Sequence, residues 1–222
     1  MKKIGFIGLG IMGSPMAVNL IKSKYNLTVY DVFKEKVAPL LKMGASGAAS
    51  PKEVAAKSEV VITMLRSNEV VREALAGAEG VFSGAKPGTI IIDMSSSSPT
   101  MIKELHAQAV ERGLCMLDAP VSGGEPKAID GSLAIMVGGA KEDFERVKDI
   151  LQAMGRTVTH IASIGSGNVV KLANQIIVAL NIAAVSEAIS FTSKAGIDPE
   201  VVYQAIRGGL AGSTVMDAKL PM

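Results

Sequence analysis

Over the first 160 or so residues, short β-branched runs alternate with stretches of helical pattern, and this alternation limits the fold more than any other feature. It is the pattern of parallel strands joined by helical crossovers, with helices covering both faces of a sheet. The runs are Lys3–Gly8, Leu27–Asp31, Glu59–Leu65, Thr89–Met94, Leu114–Ala119, Ala134–Gly138 and Thr157–Ile161. Several are apolar at consecutive positions, which strands buried on both faces require. Helix starts are marked between and after them. Ser50-Pro51-Lys52-Glu53 is a capping box with proline at the first helical position, and Ser98-Pro99 and Asp198-Pro199 repeat the cap-then-proline signal.

The pattern changes near Ser163. From Asn168 to Lys194 the chain is rich in Ala, Ile, Val and Leu and reads as one long helix, apolar around most of its circumference. Such a helix must be enclosed. A shorter helix from Pro199 to about Arg207 follows, and then an irregular stretch to Met222. About 60 residues are too few to enclose a helix so apolar, so another subunit or a further section of the domain is expected to cover it. The expectation is an α/β chain with a doubly wound, mostly parallel sheet over residues 1–162. A long helix opening a truncated all-α domain follows over 163–222.

Lys and Arg total 23 against 21 Asp and Glu, so no strong net field favours nucleic acid or an anionic membrane. The single cysteine, Cys115, excludes an internal disulfide and reads as a core thiol in a reducing compartment. His106 and His160 lack a second ligand at a metal-binding interval, so no metal is expected. Met1-Lys2-Lys3 and the apolar residues after it resemble a secretory leader, but Gly5, Gly8, Gly10 and Gly13 interrupt that stretch. The most apolar segment, Ile176 to Val185, contains Asn181 and reads as a buried helix rather than a membrane span. A soluble cytoplasmic protein is expected.

Gly8-Leu9-Gly10-Ile11-Met12-Gly13 has the spacing G-x-G-x-x-G, a weak signal alone. Its context strengthens it: an apolar run precedes it, a helical pattern from Met12 to Lys22 follows, and Asp31 closes the next run 18 residues after Gly13. Gly8 permits a tight turn, Gly10 lets the backbone approach a pyrophosphate, and Gly13 allows close packing of helix on strand. The amides and dipole of the helix start favour phosphate. Asp31 would accept from the adenosine ribose hydroxyls and repel a 2′-phosphate, which leans toward NAD, although Lys34 lies near enough to offer NADP a positive charge. The alternative reading of Asp31 is a solvated strand end.

Two later segments carry chemistry. Asp118-Ala119-Pro120-Val121-Ser122-Gly123-Gly124 sets a serine and two glycines after a strand, where Ser122, Gly123 and Gly124 could hold a carboxylate; an ordinary Ser-Gly-Gly turn is the competing reading. Gly165 to Gln175 opens the long helix and puts Lys171 in an apolar surface, which is costly unless the ammonium is paired or functional. Asn174 and Gln175 share its helical face and could orient it or a substrate. The competing reading is a lysine whose stem carries its charge out to solvent.

GFIGLGIMG at the start, Asp118 to Gly131, Val137–Gly139 and GSGNVVKLAN from Gly165 together resemble the β-hydroxyacid dehydrogenases, and the resemblance spans the chain. The runs Val178–Ala184 and Tyr203–Thr214 are similar to the branch that reduces tartronate semialdehyde. The resemblance implies an N-terminal Rossmann domain, an interdomain helix and a helical domain that shares in homo-oligomerisation as a dimer or tetramer. It implies NAD(H) or NADP(H) as cofactor, a short carboxylate semialdehyde as substrate, Lys171 as the catalytic proton donor, and Ser122, Gly123 and Gly124 at the substrate carboxylate. Met64, Leu65, Ser95 and Ser96 match positions that line the cofactor. Arg66 departs from the proline common after Met-Leu, and Gln175 from an asparagine, so the amide partner of the substrate is Asn174 or Gln175. Such chains usually continue for some 70 residues, which this one lacks. Related substrates (3-hydroxyisobutyrate, succinic semialdehyde, glyoxylate) and a non-catalytic dinucleotide-binding fragment are the alternatives.

Overall fold

A computed structural model describes residues 2–220. The first half runs β1 (Lys3–Ile7), α1 (Gly13–Lys22), β2 (Asn26–Tyr30), α2 (Lys34–Lys42), β3 (Ser46–Gly47), α3 (Pro51–Ala56), β4 (Val60–Thr63), α4 (Asn68–Ala76), α5 (Val81–Gly84), β5 (Ile90–Asp93) and α6 (Pro99–Glu111). There follow β6 (Cys115–Asp118), β7 (Val121–Ser122), α7 (Gly124–Ile129), β8 (Ala134–Val137), α8 (Lys141–Gln152), β9 (Thr157–His160), α9 (Ser166–Lys194), α10 (Pro199–Ile206) and α11 (Thr214–Lys219). Two compact units divide at Lys171 and Leu172, inside α9.

In the first unit six parallel strands take the order β3-β2-β1-β4-β5-β6. The order reverses between β1 and β4, so the loops leaving these two strands in opposite directions open a crevice at their carboxyl ends. Burial explains the unbroken apolar runs: β4 and β5 are buried at every position. Alternate residues feed two cores. Ile62, Ile90 and Ile92 pack with Phe6, Met16 and Leu20 on one face, and Val61 and Ile91 pack with Val54, Leu75 and Leu105 on the other.

The last three strand runs do not all extend this sheet. Val121–Ser122 pairs antiparallel with β8, and β8 pairs parallel with β9, forming a separate three-stranded sheet. The strand signal in β8 and β9 was sound, but nothing in its periodicity says which edge a strand joins. A bridge between Asp118 and Gly138 fastens β6 to the end of β8.

The expected caps form. Ser50, Ser98 and Asp198 accept from the amides of Glu53, Met101 and Glu200, at 3.2, 3.5 and 2.8 Å. Glu53 completes its box one residue further back, accepting from Ala49 N at 2.6 Å. Cys115, expected as a core thiol, is only partly buried; it packs at the edge of the first core, with the Arg146 guanidinium 3.7 Å from its sulfur.

In the second unit Tyr203 Oη donates to Asp217 Oδ1 at 2.9 Å, tying α10 to α11. The irregular ending expected after Arg207 includes a short helix, because Ser213 Oγ accepts from Met216 N and caps Thr214–Lys219. Gly208, Gly209 and Gly212 hid that element behind breaker signals. The segment expected to be a buried helix is not covered: Ile176, Ile177 and Leu180 are 62, 63 and 66% exposed. By length and composition α9 could cross a bilayer, and its most apolar stretch has no buried residue among those described.

The two-sided packing has a measurable consequence. Ile62→Ala removes a wholly buried branched side chain and is expected to cost about 2–5 kcal/mol in denaturant unfolding. A loss under about 1 kcal/mol would contradict a close-packed sheet at that position.

Candidate active site

Every residue expected to touch a cofactor lies at or after the carboxyl end of a strand in the six-stranded sheet. The glycine turn leaves β1, Asp31 follows β2, Met64 and Leu65 follow β4, and Ser95 and Ser96 follow β5. The turn closes tightly. Gly8 N donates to Tyr30 O at 2.9 Å and Ser14 N to Gly10 O at 3.0 Å. A Cβ on Gly13 would collide with the Gly8 carbonyl oxygen, so α1 approaches β1 as only glycine allows. A Cβ on Gly10 would meet nothing within 4 Å; the backbone there faces open space, as a site for a pyrophosphate requires. Leu9 is buried in the core and Ile11 is 67% exposed, while Met12 is the N-cap residue of α1.

Asp31 does more than the sequence indicated. Its Oδ2 accepts from Leu9 N at 2.7 Å and its Oδ1 from Phe33 N at 2.9 Å, so it braces the glycine turn from the neighbouring strand. Each oxygen keeps a second lone pair for another donor. Beside it is a cavity of about 600 Å³, lined by Gly8, Val32, Leu65 and Val70 as well as Asp31, with Glu69, Glu73 and Glu79 at its edge and no Lys or Arg in its lining. Lys34 lines a neighbouring cavity of about 560 Å³ that shares Asp31. The two serines differ: Ser96 is exposed, while Ser95 is buried, its Oγ accepting from Leu65 N at 2.9 Å.

The carboxylate-turn candidates also fall together. Ser122, half-buried, ends β7; Gly123 has φ +138 and Gly124 φ +69, both left-handed values that favour glycine. A side chain at Gly123 would also strike the Lys127 stem. Lys171 lies in the second turn of α9, half-buried, and no hydrogen bond or ion pair joins it to any described residue. Burial holds its ammonium below the ordinary lysine pKa. Asn174 and Gln175 belong to the second unit, where Asn174 Nδ2 donates to Gln175 Oε1 at 3.0 Å.

Sequence reasoning assigned no role to four buried polar residues: Asp93, Ser97, Asp118 and Asn168. One signal was available, since an aspartate between apolar neighbours, as in Ile90-Ile91-Ile92-Asp93-Met94, is a buried carboxylate that must find donors. No cluster of three or more potential metal ligands occurs among the described residues.

A glycine turn between strand and helix at a reversal of strand order, with an aspartate closing the next strand, defines a dinucleotide-binding oxidoreductase. Comparison with known proteins narrows the class. Residues 3–163 match the family described as the NAD binding domain of 6-phosphogluconate dehydrogenase, and 165–222 match the NAD-binding domain of NADP-dependent 3-hydroxyisobutyrate dehydrogenase. The chain is 45% identical over 215 residues to 2-hydroxy-3-oxopropionate reductase of Escherichia coli, covering 97% of this chain and 73% of the relative. It is 38% identical over 221 residues to an NAD-dependent L-serine dehydrogenase of Pseudomonas aeruginosa, covering 100% and 74%. A solved structure of Mycobacterium tuberculosis 3-hydroxyisobutyrate dehydrogenase with L-serine superposes with TM-score 0.90 at 33% identity, over 100% of this chain and 75% of that one. The chain belongs to the NAD(P)-dependent β-hydroxyacid dehydrogenase family, and NAD(P)H is its cofactor.

The contact between Gly13 and the Gly8 carbonyl can be tested directly. Gly13→Ala must push α1 off the turn; it is expected to cost about 1–3 kcal/mol of stability and to weaken NADH binding in a fluorescence titration. Unchanged binding and stability would contradict the close approach.

Proposed function

We propose that this protein reduces a short carboxylate semialdehyde, tartronate semialdehyde to glycerate, with Lys171 as proton donor. The observation that carries the reading is Lys171 itself, a half-buried ammonium without a partner among the described residues, held below the ordinary lysine pKa by burial. The 45% identity to 2-hydroxy-3-oxopropionate reductase supports this substrate over the others named among the relatives.

When bound, NADH would supply the hydride for the aldehyde carbon. Gly10 and the amides at the start of α1 would receive the pyrophosphate, with Leu9, Ile11 and Met12 along the turn, and Met64, Leu65, Ser95 and Ser96 would shape the wall beside the nicotinamide. Asp31 would take the adenosine ribose. With Glu69, Glu73 and Glu79 at the rim of the adjoining cavity, a 2′-phosphate would add charge to an acidic surface, so NAD is the preferred cofactor. Ser122 Oγ and the amides of Gly123 and Gly124 would hold the substrate carboxylate, with Asn174 or Gln175 on a hydroxyl. As the carbonyl oxygen gains charge, Lys171 Nζ stabilises it and transfers a proton, becoming a neutral amine that solvent reprotonates. Residues 163–222 would belong to a helical domain completed in a homo-oligomer, and the enzyme would work in the cytoplasm.

Lys171→Ala is expected to lower kcat for reduction by about 10²–10⁴ with little change in NADH affinity; wild-type turnover would remove Lys171 from the chemistry. Because the donor must be protonated, the reduction rate should fall as pH rises through a value below the ordinary lysine pKa, and the reverse oxidation should rise over the same range. Asp31→Ala is expected to reduce discrimination between NADH and NADPH in paired titrations, with equal loss for both contradicting its placement at the ribose. The substrate is tested by NADH oxidation with tartronate semialdehyde, methylmalonate semialdehyde, succinic semialdehyde and glyoxylate. A kcat/KM highest for tartronate semialdehyde supports the reading, and a higher value for another member of the panel replaces it.

A further inference from the structure

We propose that Asp118 and Asn168 are positioning residues that fix the rotation and seat of the first turns of α9, and so the station of Lys171. The inference rests on the catalytic reading of Lys171 given above.

Asp118 ends β6 and is wholly buried. Its Oδ1 accepts from Gly165 N at 2.7 Å; its Oδ2 accepts from Asn168 N at 2.8 Å and from Asn168 Nδ2 at 3.2 Å. One carboxylate thus satisfies two amides at the start of α9 that have no partner within the helix, at the end where the helix dipole favours negative charge. The backbone of Asp118 is fixed too, exchanging hydrogen bonds with Gly138 at 3.0 and 2.8 Å. There is no slack between these segments. A Cβ on Gly138 would strike Asp118 Oδ1, and one on Gly167 would strike the Met136 carbonyl.

Asn168 carries the linkage onward. It is 1% exposed, and while its amide nitrogen donates to Asp118, its Oδ1 accepts from Ser97 N at 2.9 Å. Ser97 Oγ donates to Asp93 Oδ2 at 2.7 Å, and Asp93 Oδ1 accepts from Thr63 Oγ1 at 2.8 Å and from Ser95 N at 3.2 Å. Ser95 Oγ accepts from Leu65 N. The carboxyl ends of β4 and β5, whose loops carry the cofactor candidates, and of β6, which leads into the Ser122 turn, are therefore joined by hydrogen bonds to the helix that carries Lys171. Asp93 and Asp118 sit opposite each other in the β5–β6 register. Burial pushes both carboxyls up. The side chain of Asp118 meets only N–H donors, so a proton on it would have no acceptor among those partners and the ionised form fits the donor set.

Lys171 is three residues beyond Asn168, one turn up the same side of the helix. Among the described residues Asn168 is the one side chain on α9 bonded both to β6 and to the segment after β5, so it sets the angle at which Lys171 leaves the helix. A misplacement of about 1 Å at a reacting group costs on the order of 10²-fold in rate.

The test compares Asn168→Ala, Asn168→Asp and Lys171→Ala with the natural chain by kcat, NADH affinity, thermal midpoint and amide exchange over residues 165–171. For Asn168→Ala the expected result is a kcat lowered by about 10–100-fold, NADH affinity within about threefold, and faster exchange at Gly165 and Asn168. Asn168→Asp keeps the acceptor for Ser97 but sets a second carboxylate against Asp118; it is expected to be impaired at neutral pH and to recover kcat as falling pH protonates the pair. The charged groups nearest that pair are Asp93, linked through Ser97, and Lys103 on α6, whose stem lies beside Gly165, with Lys171 one turn further along α9. A purely structural role would lower the thermal midpoint while leaving kcat of the folded variant and its pH profile unchanged, and that result overturns the proposal; if Asn168→Ala does not fold, the profile of Asn168→Asp decides. If Lys171→Ala keeps wild-type turnover, the catalytic reading fails. If it is inactive while the Asn168 variants are not, the positioning role alone fails.

Discussion

A carboxylate buried beyond the reach of water must gather donors or lose its charge. In this molecule the carboxylate of Asp118 gathers the amides that open α9, and much of the site's architecture follows from it. Because those amides are held at the end of β6, the first turns of the helix are indexed to the six-stranded sheet. The crevice that receives the dinucleotide belongs to the same sheet. On the adjacent strand Asp93 has the matching role, drawing Thr63, Ser95 and Ser97 into the gap between β4 and β6. The hydrogen bonds are individually modest, about 1.5–3 kcal/mol each where a charged group is involved. Their value lies in leaving these loops with few alternative arrangements.

The other end of the crevice uses a carboxylate differently. Asp31 reaches back to Leu9 N and forward to Phe33 N, so the residue suited to a ribose also stiffens the turn suited to a pyrophosphate. A single substitution there disturbs both. The acidic rim formed by Glu69, Glu73 and Glu79 acts at longer range and without contact, by making the surroundings unfavourable for additional negative charge.

The sequence was most legible where periodicity and glycine placement are set by close packing. The runs that became β1, β2, β4, β5 and β6 were legible as strands of a parallel sheet, and Gly13 had a steric reason that the Gly8 carbonyl supplies. It was least legible where pairing depends on distant partners. Nothing local in Val121–Ser122 says that it runs antiparallel to β8, and a two-residue strand such as Ser46–Gly47 has no period to read. The helix Thr214–Lys219 hid behind glycines. In the site, Lys171 and the Ser122 turn were visible as chemistry in an unusual place, whereas Asp118 and Asn168 were visible only as letters in a motif. Their roles depend on hydrogen bonds spanning 47 to 71 residues. The apolar character of α9 was plain, but not its surroundings: its most apolar stretch has no buried residue among those described.

Under the proposed function, hydride passes from a nicotinamide to the aldehyde carbon of a short carboxylate semialdehyde. The most direct measurement is a single-turnover reaction with stereospecifically deuterated NADH and tartronate semialdehyde, followed by mass analysis of the product. The account requires glycerate carrying one deuterium on its newly reduced carbon, from one face of the nicotinamide only. Glycerate without deuterium from NADH labelled on either face in turn, or no glycerate despite bound cofactor, would contradict it.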